Sequence, residues 1–184
     1  MLRKLQFLVA ALATSALLMA NVGAASAHQW SNYHWDKSGP MIVIQEYIYG
    51  TNQTEAEFSR QDGWNKIGIL YNYGVNYHTD VSVFGGNWGN TGWWGLASLE
   101  DTDWSWSCFS WCHIAHAHAR YNQYYGGTTG YGGDVQGVFC QEVGHTWGLD
   151  HSNTGDCMGK SYYNNENFYG PHNNTDFYNM YRFH

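Results

Sequence analysis

The stretch "CQEVGHTWGLDH", residues 140–151, determines the expected fold and also carries the candidate site. Apolar residues recur through it at helical spacing, so it predicts a helix over residues 135–147. On that helix Gln141 and His145 are one turn apart and face the same way, so both side chains can reach a single point. Glu142 lies beside that point. His145 is therefore a candidate metal ligand, with Gln141 as a further candidate.

The end of the same stretch predicts a second histidine ligand. Gly148 is well placed to stop the helix and to let the chain reverse. His151 can then come back from a loop to the point that His145 faces. An ordinary amphipathic helix is the alternative, with Gln141 exposed and His145 satisfied by a hydrogen bond, but it leaves these fixed offsets unexplained.

The offsets of Glu142, His145, Gly148 and His151 resemble the metzincin clan of zinc endopeptidases, whose pattern is H-E-x-x-H-x-x-G-x-x-H followed by a methionine turn. Met158, in "GDCMGK", stands where the turn methionine would lie. The resemblance implies an α/β (α+β) fold: a twisted mixed sheet with an edge strand beside the cleft, an active-site helix, the Met turn and a C-terminal helix. It also implies Zn²⁺ as the cofactor and a peptide or protein as the substrate.

Two positions depart from the clan's pattern. Gln141 stands where the clan has its first histidine, and Lys160 stands where some branches carry a tyrosine that assists the zinc. An amide oxygen can approach a metal, but it suits zinc less well than imidazole does. Loss of a supporting partner alone costs about 10–100-fold in metal affinity, so a weakened ligand should cost at least that. We expect zinc to be bound, but less tightly.

The chemistry implied by the resemblance is peptide hydrolysis by a metal-activated water, with Glu142 as the general base and not as a ligand. The main alternative is a protein that keeps the metzincin fold but has lost catalysis and acts as a secreted binding module, with its many Trp and Tyr stacking on sugars. A third interpretation is a copper protein acting on glycans, with the metal held by an N-terminal His28.

Four cysteines in an exported chain predict two disulfides, for which three pairings are possible. Cys108 and Cys112 can meet only where the chain turns, because an extended stretch would place their α-carbons about 13 Å apart. Cys140–Cys157 then follows as the second bond. It would join the start of the site helix to the Met turn and contribute about 3 kcal/mol. A zinc site made of all four thiolates fits the spacing poorly.

The first 27 residues predict a signal peptide: Arg3 and Lys4 precede an apolar run, and Ala25-Ser26-Ala27 forms a cleavage site. Residues 28–184 are expected to form a single secreted metallopeptidase domain, monomeric and without a membrane anchor. The net charge of −7 and the lack of a basic patch argue against nucleic acid as a partner.

Short runs rich in β-branched and aromatic residues predict a sheet in the middle of the domain. The predicted strands lie in "MIVIQEYIYG", "IGILYNYG", "HTDVSVFGG", "GWWGLASLE" and "HIAHAHARYNQYY". Further helices are predicted in residues 51–66 and from Thr175 or Asp176 onward. Residues 28–39 are expected to be exposed, and part of this segment could cover the cleft.

The histidines of "HIAHAHARYN" raise the question of a second metal site, because His116 and His118 share one face of a strand. The simpler interpretation is an edge strand whose histidines face solvent, since no acidic partner is evident nearby in sequence. Its core-facing residues would then be Ala115, Ala117, Ala119 and Tyr121. His113 and His172 carry no stronger case for a role.

Overall fold

The computed structural model describes residues 32–36, 42–48, 71–73, 79–103, 112–126, 135–153, 155–159 and 170–181. In chain order its elements are β1 (Tyr33–His34), β2 (Ile42–Ile48), β3 (Tyr71–Tyr73), β4 (Val81–Gly86), β5 (Gly95–Asp103), β6 (Cys112–Asn122), a 3-10 turn (Gln123–Tyr125), α1 (Val135–Thr146) and α2 (Pro171–Tyr181). Each predicted strand segment overlaps one of β2 to β6, although β5 runs three residues past its predicted segment and β6 begins one residue before its own. The helix predicted over residues 51–66 lies outside the described residues.

The strands form one mixed, mostly parallel sheet. Its order is β1-β6-β4-β2-β3, and β5 pairs with β6 as well. All neighbours are parallel except β5, which runs antiparallel to β6. Among the described strands β5 has β6 as its sole partner, so one side of its backbone is an open edge.

Strand β6 lies inside the sheet, which corrects the prediction that it is an edge strand. Ala117 is paired with Val81 of β4 on one side and with Leu99 of β5 on the other. Strand β6 is internal because β4 and β5, which both precede it in sequence, pair with its two sides. Alternation within the strand cannot reveal it, because internal and edge strands share the same period.

The buried face of β6 changes along the strand. Ile114, Ala117 and Ala119 are buried, whereas Ala115 is only partly buried. The change coincides with a β-bulge in β5, where the register shifts on both sides of Asp101. The predicted core face is therefore correct from Ala117 onward, but Ile114 takes the place expected for Ala115.

Helix α1 packs against β5 and β6 and is a core helix. Every residue from 137 to 146 is buried, Gln141 among them with 1% of its surface exposed. A surface helix would leave one face in water. The alternative of an ordinary amphipathic helix with an exposed Gln141 is therefore wrong.

Gly148 ends α1 in a Schellman motif, which confirms its predicted role. Its φ is +86°, in the left-handed region that favours glycine. The Leu149 N–H donates to the Gly144 carbonyl (3.1 Å), and the Gly148 N–H donates to the His145 carbonyl (2.9 Å). The reversal directs the following residues back toward the helix, as His151 requires.

Substitution of Gly148 by alanine is expected to lower the free energy of unfolding by about 3 kcal/mol or more. A Cβ there would collide with the Tyr33 carbonyl and lie 3.3 Å from Met180 Sδ, in addition to the cost of positive φ. Gly89→Ala is the matched control, because Gly89 has φ +74° but open space around it. We expect it to cost about 1–2 kcal/mol. Equal losses in urea denaturation would contradict the collision.

The centre of the segment 32–36 is buried against the end of the site helix, so the prediction of exposure is wrong for His34 and Trp35, whereas Asn32 and Asp36 are exposed. His34 is fully buried and Trp35 is 5% exposed. The Trp35 indole N–H donates to the Thr146 carbonyl (2.8 Å), and its backbone N–H donates to the Tyr181 hydroxyl (3.1 Å). This stretch holds the end of α1 in place and does not cover the cleft.

Helix α2 begins earlier than predicted, at Pro171 in place of Thr175 or Asp176. Proline is favoured in the first turn because its missing N–H has no helical partner there. Phe177, Met180 and Tyr181 pack into the core. None of the helices in the described residues is long and apolar enough to cross a membrane.

Candidate metal centre

His145 and His151 meet although one lies on α1 and the other on the loop beyond Gly148. Their Nε2 atoms are 3.3 Å apart, and the ring planes are nearly perpendicular, at 85°. Two nitrogen ligands at about 2.0–2.1 Å from a tetrahedral zinc are themselves about 3.3–3.4 Å apart. The pair therefore fits two corners of a zinc site. The same distance also suits an N–H···N hydrogen bond between the rings.

The tautomer of His145 is set by its second ring nitrogen. Nδ1 lies 2.8 Å from the Leu149 carbonyl oxygen, which can only accept, so Nδ1 carries the hydrogen. The Nε2 lone pair then faces His151. A metal-binding histidine usually has this kind of partner behind it, because the bond orients the ring and raises its basicity.

Glu142 lies at the bottom of a cleft between α1 and the open strand β5. The cleft has a volume of about 320 Å³ and is lined by Gly95, Leu96, Ala97, Glu142, His145, Asp150 and His151. Glu142 is only 4% exposed. It packs so closely on β5 that a Cβ built on Gly95 would lie 2.6 Å from its carboxyl carbon. A general base candidate and both histidines thus face one cavity.

Gln141 is anchored through its amide nitrogen. Nε2 donates to the Gly159 carbonyl (2.8 Å), so the other end of the amide must be the oxygen. That Oε1 atom is buried and has no hydrogen-bond partner among the described residues. A buried acceptor without a hydrogen bond costs about 1–3 kcal/mol. Such acceptors are uncommon in native proteins unless a ligand or an ion bonds to them.

The amide of Gln141 can replace an imidazole in this position. In both groups a donor nitrogen and an acceptor atom are separated by a single carbon. A histidine would donate from Nδ1 to Gly159 and present Nε2, whereas the glutamine donates from Nε2 and presents Oε1. The described residues contain no group of three or more His, Cys, Asp or Glu side chains suited to a metal. Gln141 Oε1 stays the candidate for a third ligand that the sequence predicted.

The predicted Met turn packs against the loop that carries His151. Met158 is fully buried, and its carbonyl accepts from the Ser152 N–H (2.7 Å). Asp156 holds the turn, since its Oδ1 accepts from the Ser152 hydroxyl (3.1 Å) and the Met158 N–H (3.2 Å). These contacts bring Gly159, the anchor of Gln141, next to the site.

The predicted disulfide Cys140–Cys157 is confirmed, with its α-carbons 5.9 Å apart. It joins α1 to the turn, one residue before Gln141 and one before Met158. Cys112 is also disulfide-bonded, and its predicted partner Cys108 lies outside the described residues. The described cysteines therefore leave no thiolate for a zinc site, and the four-thiolate alternative is wrong.

Burial lowers the pKa of His145 to about 4. The hydrogen bond to Leu149 and the charge of Asp150 oppose this shift, whereas a charge on His151 adds to it. The folded protein therefore keeps His145 neutral, and able to offer Nε2, well below the usual histidine pKa.

The metal-free protein is expected to lose stability as the pH falls from 6.5 toward 4. Unfolded His145 takes up a proton near pH 6.5 and the folded side chain does not until about pH 4, so acid favours unfolding by up to about 3 kcal/mol. Urea denaturation of chelator-treated protein across this range measures the loss. This pH-dependent loss of stability should disappear in the His145→Gln variant. An identical pH dependence in that variant would contradict it.

On the face of β6 opposite the core, His118 takes part in an ionic network. The prediction had the histidines of this strand facing solvent. His118 Nδ1 is 3.1 Å from Glu100 Oε1, and an Arg120 guanidinium nitrogen is 3.0 Å from the same oxygen. Glu100 is thus the acidic partner that was not evident in sequence. Arg120 also lies 2.7 Å from His118 Nδ1, and its positive charge disfavours a divalent cation there. His116 packs edge-on against His118.

Three contributions to the site were missed at the sequence level. Gly95 makes room for Glu142, Asp150 lines the cleft beside the histidines, and Asp156 holds the Met turn. Asp150 and Asp156 lie within a few residues of His151 and Met158, so proximity to the motif was an available signal. No sequence signal was available for Gly95, because its role depends on where α1 crosses β5.

No protein-family model matches the chain, and a search of curated proteins finds no match. The resemblance to metzincins therefore stays a prediction from the sequence motif. Of the other residues that the sequence analysis names, His28 and Lys160 lie outside the described residues. His113 packs edge-on against His34, and His172 is 2.9 Å from Asp176.

Proposed function

We propose that this chain is a secreted zinc endopeptidase of the metzincin type. The observation that carries the proposal is the 3.3 Å approach of His145 Nε2 and His151 Nε2 in the cleft that Glu142 lines. Support for a metzincin-like fold comes from the mixed sheet, the open strand beside the cleft, the buried site helix, the packed Met turn and the last helix.

The residues divide the work of peptide hydrolysis among them. His145, His151 and Gln141 would hold the ion, and zinc, when bound, would supply a Lewis acid that polarises the scissile carbonyl and acidifies water. Glu142 takes the proton from the attacking water and passes it to the leaving amine. The open edge of β5 offers backbone groups along which an extended peptide can align over the cleft.

Export and a monomeric state belong to the same proposal. The bond between Cys140 and Cys157 supports an oxidising compartment, because such bonds rarely persist in a reducing cytosol. Residues 1–27 are proposed to be the cleaved signal peptide.

An inactive binding module is the second candidate, and Gln141 is the observation that favours it. A site with one weaker ligand can keep the fold and even the metal without turnover. This candidate predicts zinc binding, or a bare fold, without hydrolysis.

The test measures zinc per chain in protein purified without chelators and hydrolysis of casein and a quenched peptide library. One zinc per chain with hydrolysis that a chelator stops and added zinc restores would support the endopeptidase. Zinc without hydrolysis would support the binding module. The absence of both zinc binding and hydrolysis would overturn the metal centre itself.

A further inference from the structure

A cluster of aromatic rings lies at the surface where β5 begins. It comprises residues 87–94, "NWGNTGWW", together with Tyr124 and Tyr125, and is called the aromatic surface below. Trp88 is 41% exposed and Tyr124 is 46% exposed. Large aromatic rings bury much apolar area where they can, so two exposed rings on segments that one buried side chain, Asn122, joins indicate a contact surface.

The aromatic surface is held rigidly by one buried side chain. Asn122 is fully buried, and its Oδ1 accepts from the backbone N–H groups of Trp88 (3.0 Å) and Tyr124 (3.1 Å). Its Nδ2 donates to the Gly89 carbonyl (2.9 Å) and the Thr91 hydroxyl (2.9 Å). One amide thus fixes both segments and places Trp88 and Tyr124 relative to each other.

Further contacts fix the orientation of the rings. The Tyr125 hydroxyl donates to Asn90 Oδ1 (2.7 Å) and accepts from the Gly92 N–H (2.7 Å). The Tyr125 ring stacks on Trp94, with an angle of 18° between the planes. The Trp88 ring packs over Gly86, within 3.0–3.3 Å of where a Cβ would lie. Binding would therefore cost little conformational entropy, because these segments are already held in place.

The chemistry of the aromatic surface is neutral and amide-rich. Residues 87–94 and 122–126 contain no charged side chain, in a chain whose net charge is −7. They contain no aliphatic side chain either, which a pocket for an apolar peptide would be expected to provide. The Asn87 oxygen accepts from the Gly89 N–H and the Asn90 oxygen from the Tyr125 hydroxyl, whereas the NH₂ groups of both side chains bond to no other described residue.

These features match a sugar better than a nucleic acid or an ion. The C–H face of a pyranose ring carries partial positive charge and suits the negative face of an aromatic ring. Its hydroxyl groups suit amide donors and acceptors. A nucleic acid would need basic side chains for its phosphates, and none is present here.

We propose that the aromatic surface binds a neutral oligosaccharide chain, with Trp88 and Tyr124 as the stacking residues. The sugar would lie next to the candidate metal centre, because residues 95–97 directly follow this loop and line the cleft. The oligosaccharide can belong to a polysaccharide or to a glycoprotein, which present the same ring chemistry. Binding does not depend on the proposed hydrolysis.

The test measures binding of the full chain by isothermal titration calorimetry to hexasaccharides of β-1,4-linked glucose and of β-1,4-linked N-acetylglucosamine. It also includes an N-glycosylated protein before and after deglycosylation. We expect at least one of these to bind with a dissociation constant of about 1 mM or lower. Trp88→Ala and Tyr124→Ala should each weaken binding by about tenfold or more, with an unchanged circular dichroism spectrum.

Tyr178→Ala is the matched control, because Tyr178 is 65% exposed on α2 and belongs to another surface. It should bind as the native chain does. Binding of a hexasaccharide assigns the surface to polysaccharide, and binding of the glycosylated protein alone assigns it to glycoprotein. The proposal is overturned if no probe binds, if Trp88→Ala binds normally, or if the glycosylated protein is the sole probe that binds and deglycosylation leaves its binding unchanged. Zinc content and hydrolysis of sugar-free peptides, measured in the same variants, should not change.

Discussion

Glu142→Gln should lower kcat for peptide hydrolysis by about 10²–10⁴-fold while bound zinc is retained. The substitution keeps the size of the side chain and its fit against Gly95, but an amide cannot take a proton from water. The two histidines are left untouched, so the metal should stay. Steady-state kinetics on a quenched peptide, with zinc measured on the same sample, gives both quantities.

Asp150→Asn is the matched control for Glu142→Gln. It removes the same charge from the same cleft. The Oδ1 atom of the asparagine can still accept from the backbone N–H of His151, a hydrogen bond of 2.7 Å in the native protein. We expect a change in kcat of less than about tenfold. Full activity in purified Glu142→Gln would exclude Glu142 as the base. Equal losses in both variants would indicate that the charge of the cleft matters and not the proton transfer.

Gln141→His should raise zinc affinity by about 10–100-fold or more. An imidazole at this position can donate from Nδ1 to the Gly159 carbonyl, as Nε2 of the glutamine does now, and present a nitrogen where the unpaired Oε1 is. Competition with a chromogenic chelator measures the affinity. If this variant gains both tight zinc and activity that the native chain lacks altogether, the native protein is not a protease.

Gln141→Leu separates a ligand role from a packing role. It fills similar buried volume but has no oxygen to offer a metal, so zinc affinity should fall if Oε1 is a ligand. Unchanged affinity in Gln141→Leu would exclude Gln141 from the metal centre and leave His145 and His151 as its protein ligands.

The parts of the fold that the sequence predicts are those whose causes are local. Gly148 ends α1 because the residues beside it complete a Schellman motif, and His151 follows from that reversal. The pairing of Cys140 with Cys157 follows by elimination, because Cys108 and Cys112 are close enough in sequence to bond where the chain turns. These features depend on short stretches of chain, for which spacing and conformational preference carry enough information.

The parts that could not be predicted depend on contacts between distant segments. Whether β6 is internal depends on β4, and whether His118 has an acidic partner depends on the register that brings Glu100 across from β5. The anchoring of Gln141 depends on a carbonyl eighteen residues away, at Gly159. In each case the feature depends on a group from a distant segment of the chain, so the local sequence does not predict it.

The packing of Glu142 against Gly95 has a consequence for the geometry of any reaction in this cleft. Because the carboxylate occupies the space of a missing side chain, the strand that would align a substrate and the group that would act on it are in van der Waals contact. Their separation does not depend on a hinge or on a flexible loop. A single methyl group at position 95 would force the two apart.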